Sequence, residues 1–297
     1  MSNGWKHYLR LAAILIGLPT LIAWAAEEQA LSFDEGMSPG LLTGAVLSQV
    51  SMVLYAMRFR QVLTSVGIHL PALVALRITA LSLFYYFFVP LSVGSDITKF
   101  LKLKAANYDA FDSASAIVLD HMIGLASLMI LSIGVFACFR PLEIDLSSAA
   151  IGALILIVVL AAAVGALHYH RTSATSLRTL VQSIWRHRVT LLVALVYALC
   201  MHLCLITAVY IGSSSWGFDI SFTDMVFAMA TAMMFQAIPF TLAGAGVAEA
   251  AGAGLYVALG LTLPAAVLLV SLVYSYRLLM AIVGGVWDLL PHQAQAE

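Results

Sequence analysis

Long apolar stretches alternate with short polar segments along the chain. A helix rises about 1.5 Å per residue, so about 20 apolar residues are needed to cross the roughly 30 Å hydrocarbon layer of a bilayer. Several stretches are about that long, and we predict a membrane-spanning helix in each of them: approximately 9–26, 41–57, 113–139, 148–168, 189–212 and 264–288.

Two further apolar regions, 70–93 and 223–262, are interrupted by proline and glycine. The first is too short for two crossings and is broken near Pro90 and Gly94, so we predict a re-entrant helical hairpin there. The second divides at a proline and a glycine-rich turn into two halves, each short for a crossing. We prefer a second hairpin that opens outward; two tilted full spans are the main alternative.

The distribution of charge predicts the orientation. Basic residues cluster before the first span, after the second span, around Lys99 and in 171–188, whereas acidic residues dominate the opposite loops. The positive-inside rule therefore places the basic segments and both termini in the cytoplasm, with the chain in the cytoplasmic (inner) membrane. Region 70–93 must then enter and leave on the cytoplasmic face, because a single crossing would put two basic segments outside.

The elements fall into two halves with the same order: span, span, hairpin, span, over 1–140 and 141–297. Their orientations are opposite, which is typical of inverted-topology repeats in secondary transporters. We therefore predict an all-α polytopic integral membrane protein with six full spans and two re-entrant helical hairpins. Segment 173–188 is predicted to be a cytoplasmic interfacial amphipathic helix. Ala23-Trp24-Ala25 has the spacing of a signal-peptidase site, but we prefer a retained first span.

Composition restricts the function. Hydrophobic residues make up 62% and charged residues 10% of the 297 residues, so soluble enzymes and nucleic-acid binders are excluded. The net charge of −1 indicates no polyanionic partner. The sequence has no P-loop, nucleophile elbow or dinucleotide-binding motif, and we expect no enzymatic activity, no cofactor and no metal.

Ionisable residues inside apolar segments are the main candidates for function. A charge in hydrocarbon costs about 2.5–3.5 kcal/mol on insertion scales, so such residues need partners or water. The candidates are Arg77, Asp120, His121, Glu249 and Arg277. Two structural ion pairs, Asp120 with Arg77 and Glu249 with Arg277, are one interpretation; a direct role in substrate binding is the other.

Each predicted hairpin carries a proline, then glycine, then an acid. These are Pro90, Gly94 and Asp96 in the first half, and Pro239, Gly244, Gly246 and Glu249 in the second. Such interrupted segments are the best indicator of a midplane binding site, and helix N-termini favour anionic groups such as a lipid phosphate. Lys99 follows the first turn. It is expected either to bind phosphates at the cytoplasmic surface or only to set the topology.

The sequence VPLSVGSDITK at 89–99, followed by AIVLDHMIG at 116–124, resembles the transmembrane region of the lysylphosphatidylglycerol synthase family. The stretch IPFTLAGAGVAE at 238–249 and the later Tyr276-Arg277 pair are similar to motifs of the same family. Lys99, His121 and Ala248 stand where the family usually has arginine. The resemblance implies lipid translocation or lipid handling. Because the sequence contains no soluble aminoacyltransferase domain, we expect no lipid aminoacylation.

Together these features predict a lipid flippase that moves an anionic lipid or lipid-linked headgroup by alternating access. The predicted partner is a membrane lipid of the phospholipid, aminoacyl-lipid, polyprenyl-phosphate or hopanoid type, with a lipid-modifying enzyme as a candidate second partner and no nucleic acid. A lipid-binding accessory subunit and a small-anion transporter are the alternatives. The predicted substrate-binding residues are Arg77, Pro90, Gly94, Asp96, Lys99, Asp120, His121, Pro239, Gly244, Gly246, Glu249, Tyr276 and Arg277.

Overall fold

A computed structural model describes residues 18–28, 38–88, 94–139, 186–237, 241–242 and 245–289. These residues form nine α-helices, two 3-10 turns and one pair of two-residue strands, Thr241–Leu242 and Ala245–Gly246. The helices are α1 Leu18–Glu28, α2 Pro39–Ser65, α3 Ala72–Phe88, α4 Gly94–Ala105, α5 Ala110–Phe139, α6 Arg188–Ser213, α7 Phe222–Met234, α8 Val247–Ala258 and α9 Leu263–Leu289. The protein is therefore helical, as predicted.

Four helices, α2, α5, α6 and α9, are long and apolar enough to cross a membrane. They contain the predicted spans 41–57, 113–139, 189–212 and 264–288, which identifies the chain as a multi-pass helical membrane protein. The end of the predicted first span lies in α1. The predicted span 148–168 and nearly all of the predicted amphipathic helix 173–188 lie outside the described residues.

The first predicted hairpin has different bounds. Region 70–93 was expected to contain both arms, but α3 runs without a break to Phe88 and the next helix, α4, begins at Gly94. Residues 89–93, at the predicted break, lie outside the described residues. Helix α4 was missed because three lysines give it a low hydropathy; its buried residues are Gly94, Thr98, Lys99 and Leu103.

The second irregular region forms α7 and α8, of 13 and 12 residues. At about 1.5 Å per residue each helix is about 20 Å long, which is shorter than the hydrocarbon layer. These lengths count against two full spans at 223–262.

The central contact of the fold joins α2 and α6, which run antiparallel. Ser51 Oγ donates to the carbonyl oxygen of Met201 at 3.0 Å. Nearer the start of α2, a Cβ on Gly40 would lie 2.6 Å from the carbonyl oxygen of Ile211, so glycine is needed for this close approach. Small residues thus bring the two backbones together, as is common between membrane helices.

The short helices pack on the long helices of the opposite half. Helix α3 lies against α9, where Gly284 contacts the backbone of Ala80. Helix α7 lies against α5, where the hydroxyls of Ser132 and Thr231 are 2.7 Å apart. Two apolar cores result, one among α6, α7, α8 and α9 and the other centred on α2, α4 and α5.

The turn between α4 and α5 has the same backbone structure as the turn between α8 and α9. Asn107 and Gly260 have positive φ angles, 62° and 99°. The following amides, of Tyr108 and Leu261, donate to the carbonyls of Leu103 and Tyr256. Each residue of the second turn follows its counterpart in the first turn by the same number of positions. The same spacing separates Asp109 and Thr262, the residues that cap α5 and α9.

Candidate functional site

Arg277, on α9, contacts residues of both short helix pairs, α3–α4 and α7–α8. Its Nη1 atom is 3.7 Å from Oε1 of Glu249, in the first turn of α8. On its other side its guanidinium carbon is 5.4 Å from the ring centre of Tyr86 and 5.9 Å from that of Phe87, both near the end of α3. The side chain is 12% exposed, so the cation is held mainly by these partners.

Glu249 is fixed by the start of its own helix. Its Oε2 atom accepts a hydrogen bond of 2.6 Å from the amide of Gly246, and its charge lies at the positive end of the α8 dipole. The predicted pair with Arg277 is confirmed. The 3.7 Å separation exceeds hydrogen-bond length, so this is an ion pair without a direct hydrogen bond.

A small, partly open cleft lies beside this pair, between α7, α8 and α9. Its wall is mainly apolar, with Met229, Met233, Val270 and Val273 among its members. The polar groups in the wall are those of Gln236, Glu249, Tyr256 and Arg277. A mostly apolar cleft with few polar groups is typical of a ligand site.

Tyr256 contributes an unused polar group to the cleft. The residue is 1% exposed, and its hydroxyl has no hydrogen-bond partner among the described residues. A buried hydroxyl without a partner costs free energy, so such groups indicate a place where a ligand or water is received.

The second cluster of charges contradicts the predicted pair of Asp120 with Arg77. Asp120 instead accepts hydrogen bonds from Nε of Arg58 at 2.8 Å and from Nζ of Lys99 at 3.1 Å. The Nζ atom of Lys99 also donates to the hydroxyl of Tyr55 at 2.8 Å. We call these four residues the α2–α4–α5 cluster. Its three charged members are each at most 5% exposed, so the carboxylate is held by two buried cations.

Lys99 is therefore not at the cytoplasmic surface as predicted. Its side chain is fully buried, and its ammonium lies 4.5 Å and 4.4 Å from the ring centres of Tyr55 and Phe59. Arg58 was likewise expected in a cytoplasmic loop, but α2 continues past it to Ser65. Both cations were misplaced because a basic residue that pairs inside the protein looks, in sequence, like one that sets topology.

Arg77 lies away from the cleft, at the end of the α3–α9 contact. Its Nη2 atom is 3.9 Å from Oδ1 of Asp288, which is also 3.6 Å from Nζ of Lys102. Asp96 and His121 form a more exposed pair, with Oδ2 3.7 Å from Nε2. The structure does not bring Arg77, Asp96 or His121 together with Arg277.

Tyr276 faces a different neighbour from Arg277, although the two are adjacent in sequence. Its hydroxyl donates to the carbonyl oxygen of Leu41 at 3.0 Å and touches the glycines Gly44 and Gly212. Tyr276 thus packs α9 onto α2 and α6.

Of the remaining predicted residues, Gly94 begins α4 and Gly246 precedes α8. Pro90, Pro239 and Gly244 lie outside the described residues. Sequence reasoning missed Arg58, Tyr86 and Tyr256. A usable signal existed for Tyr86, since the aromatic run Phe84 to Phe88 directly precedes the predicted break.

Comparison with known proteins gives one assignment. No curated protein and no solved structure matches the chain significantly. The family model described as Lysylphosphatidylglycerol synthase TM region matches residues 10–285, nearly the whole chain. The protein therefore belongs to the lysylphosphatidylglycerol synthase transmembrane-region family.

Proposed function

We propose that the protein moves an anionic lipid headgroup across the cytoplasmic membrane, with the cleft beside Arg277 as its binding site. The observation that carries the proposal is the position of Arg277 between α3 and α8, bordering the cleft. A membrane lipid function is supported by the family assignment and by the four long apolar helices.

The chemistry of the cleft supports an anionic ligand. The ion pair of Arg277 and Glu249 has no direct hydrogen bond, so guanidinium donors on that side are available to a phosphate, while Arg277 keeps its hydrogen bond with the side chain of Tyr86. The hydroxyl of Tyr256 is a further donor. The apolar wall accommodates the glycerol end of a lipid while the acyl chains stay in the bilayer. No bond of the lipid is broken or formed in this scheme, so the proposed function is transport and not catalysis.

Alternating access between two inverted repeats is the proposed mechanism. It is supported by the antiparallel packing of α2 and α6 and by the reciprocal packing of α3 on α9 and α7 on α5. In this scheme α3–α4 and α7–α8 are hairpins that enter from opposite faces, as in transporters with inverted repeats. Both termini lie in the cytoplasm.

A lipid-binding accessory subunit is the second candidate. It is favoured by the close packing of α3 on α9, where Gly284 lies against the backbone of Ala80 and leaves little room for sliding. Such a protein would present a lipid to a lipid-modifying enzyme without moving it.

The test is transbilayer movement of labelled lipids in proteoliposomes. Phosphatidylglycerol, phosphatidylethanolamine and a polyprenyl phosphate cover the headgroup classes. We expect one class to move with the wild type and not with Arg277→Gln or Glu249→Gln. Arg186→Gln and Asp219→Asn are matched controls, because both residues are exposed and neither is in the wall of the cleft. Lipid binding without movement would support the accessory subunit, whereas unchanged movement in both cleft variants would refute the proposed site.

A further inference from the structure

We infer that Tyr256 recognises a hydroxyl group of the lipid headgroup, so that the cleft selects headgroups with neutral hydroxyls, such as glycerol, over headgroups that carry an ammonium. The inference rests on the proposed function, since it assumes that the lipid phosphate binds beside Arg277. It concerns the part of the headgroup beyond the phosphate, which the proposed function leaves open.

Tyr256 is a buried residue of the cleft wall whose hydroxyl has no partner. The residue is 1% exposed and packs in an apolar core that includes Met225, Met229 and Leu269. The hydroxyl of a buried tyrosine usually has a hydrogen-bond partner, and phenylalanine would fill the same apolar space without this requirement. Among the buried side-chain oxygens that lack a partner in the described part of the chain, this hydroxyl is the one that belongs to the cleft wall. A hydroxyl of the ligand would satisfy it.

Tyr256 is separated from the charged end of the cleft. Glu249, Gly252 and Tyr256 are spaced three and four residues apart on α8, so they share one face of the helix, and all three are in the wall. Tyr256 follows Glu249 by about two turns, which is roughly 10 Å along the helix axis. A glycerophosphate group that forms hydrogen bonds at both ends is long enough to span this distance. A phosphate beside Arg277 therefore directs the group attached to it toward Tyr256.

The free space in the cleft is small. Its volume is about 30 Å³, which is room for about two water-sized groups. Gly252 lies in the middle of the α8 wall, and a Cβ there would already meet Ala232 and Val270 at 3.4 Å. A hydroxymethyl group fits such a space, whereas a phosphate group does not. The size of the cleft thus favours a phosphate at its charged end and a small group inside.

The charges of the wall favour a neutral group beside Tyr256. Glu249 is the one carboxylate among the described residues of the wall. It accepts the amide hydrogen of Gly246 and lies beside Arg277, so it is already engaged at the start of α8. An ammonium beside Tyr256 would have no carboxylate partner in this wall, and a charge without a partner is costly in apolar surroundings. A neutral hydroxyl needs only the one hydrogen bond that Tyr256 offers.

The first experiment compares headgroups that differ in their hydroxyls. The probes are the dihexanoyl forms of phosphatidylglycerol, phosphatidylpropanol and phosphatidylethanolamine, titrated into the detergent-solubilised wild type. Phosphatidylpropanol has the same phosphodiester and the same carbon chain in its headgroup, but no hydroxyl. We expect phosphatidylglycerol to bind about tenfold more tightly than either of the others, because they leave the tyrosine hydroxyl unpaired or bring in a buried charge. Equal binding of phosphatidylglycerol and phosphatidylpropanol, or equal binding of phosphatidylglycerol and phosphatidylethanolamine, would overturn the inference.

The second experiment assigns this preference to one hydroxyl. In Tyr256→Phe the affinity for phosphatidylglycerol should fall about tenfold, whereas the affinity for phosphatidylpropanol should stay within about twofold of the wild type. Tyr210→Phe is the matched control, because Tyr210 is half-buried outside the cleft wall, where its ring packs on Phe222. This control should keep the preference of the wild type. A preference for phosphatidylglycerol that persists in Tyr256→Phe would overturn the inference.

The melting temperature without lipid distinguishes recognition from a structural role. Removal of a hydroxyl that is bonded within the protein lowers the melting temperature, because the bond stabilises the fold. The hydroxyl of Tyr256 has no partner among the described residues, so Tyr256→Phe should melt at or above the temperature of the wild type. A lower melting temperature for the variant would show that the hydroxyl is used by the fold, contrary to the inference.

Arg277→Gln separates this inference from the proposed function. If the wild type binds phosphatidylglycerol and phosphatidylpropanol equally and Arg277→Gln binds neither, the proposed site stands and the inference fails. If the preference for phosphatidylglycerol depends on Tyr256 but no lipid moves in proteoliposomes, transport is refuted and the recognition by Tyr256 stands. If none of the three lipids binds to the wild type, both proposals fail.

Discussion

Arg277 on α9 and Tyr86 on α3 connect the two halves of the chain, with the guanidinium carbon 5.4 Å from the ring centre. The same cation is 3.7 Å from the carboxylate of Glu249, so one side chain contacts both short helix pairs. A displacement of α3 relative to α8 must therefore change at least one of these contacts.

The ring of Tyr86 is predicted to tune lipid movement. Tyr86→Phe keeps an aromatic face for Arg277 but removes the hydroxyl that hydrogen-bonds to it, and should change the rate less than Tyr86→Leu. Tyr86→Leu removes a cation–π contact worth about 0.5–2 kcal/mol and should slow phosphatidylglycerol movement several-fold in proteoliposomes. Equal rates for the two variants would mean that the contact has no role in transport.

A second prediction concerns the glycines around Tyr276. A Cβ on Gly212 would collide with the Tyr276 hydroxyl, whereas a Cβ on Gly44 would collide with both that hydroxyl and the backbone oxygen of Ala208. Both Gly→Ala variants should lower the melting temperature in detergent, because overpacking typically costs about 1–3 kcal/mol. Gly134→Ala, which meets nothing within 4 Å, is the control.

The Tyr276→Phe background separates these two collisions. Removing the hydroxyl relieves the closest contact of an alanine at 212, so Gly212→Ala should cost much less stability there. The collision of an alanine at 44 with a backbone oxygen persists, so Gly44→Ala should remain destabilising. Equal rescue of both variants would contradict the packing described here.

Hydropathy predicted the four long helices because a membrane span is determined by local composition. The sequence also predicted the pair of Glu249 with Arg277, since an intramembrane charge requires a partner. Which residue will be the partner of such a charge is harder to predict from the sequence. Asp120 had several cations within reach, and the choice of Arg58 and Lys99 depends on how α2, α4 and α5 pack.

The same reason explains the misplaced bounds of the first helix pair. Lys99, Lys102 and Lys104 form one basic group in sequence, but the first is buried and the other two are partly or fully exposed. A helix with a single buried lysine cannot be distinguished by composition from a surface helix. Only the tertiary contacts of Asp120 make α4 an inner helix.

A third prediction tests the equivalence of the two turns. Asn107 and Gly260 both adopt positive φ, where a β-branched residue costs about 1–2 kcal/mol. Asn107→Gly should be neutral or slightly stabilising, whereas Asn107→Val and Gly260→Val should lower the melting temperature by similar amounts. Gly254→Ala, at an exposed helical position with open space, should not destabilise the protein. A large difference between the two valine variants would argue against equivalent turns.

The last prediction concerns pH and the cap of α5. The backbone amides of Asp112 and Phe111 donate to Oδ1 of Asp109, at 3.1 Å and 2.8 Å, and this holds the pKa of Asp109 below its usual value. A lowered pKa in the folded state means that the carboxylate stabilises the fold above the pKa of the unfolded chain, and that this contribution is lost as the pH falls through the folded pKa.

Asp109→Asn retains an acceptor for the same amides but cannot titrate. The melting temperature of the wild type relative to Asp109→Asn, measured in detergent, should therefore fall as the pH is lowered from about 6 to about 3, below the ordinary aspartate pKa of about 3.9. Because every other carboxyl group titrates in both proteins, a constant difference across this range would show that the cap does not depend on the charge of Asp109.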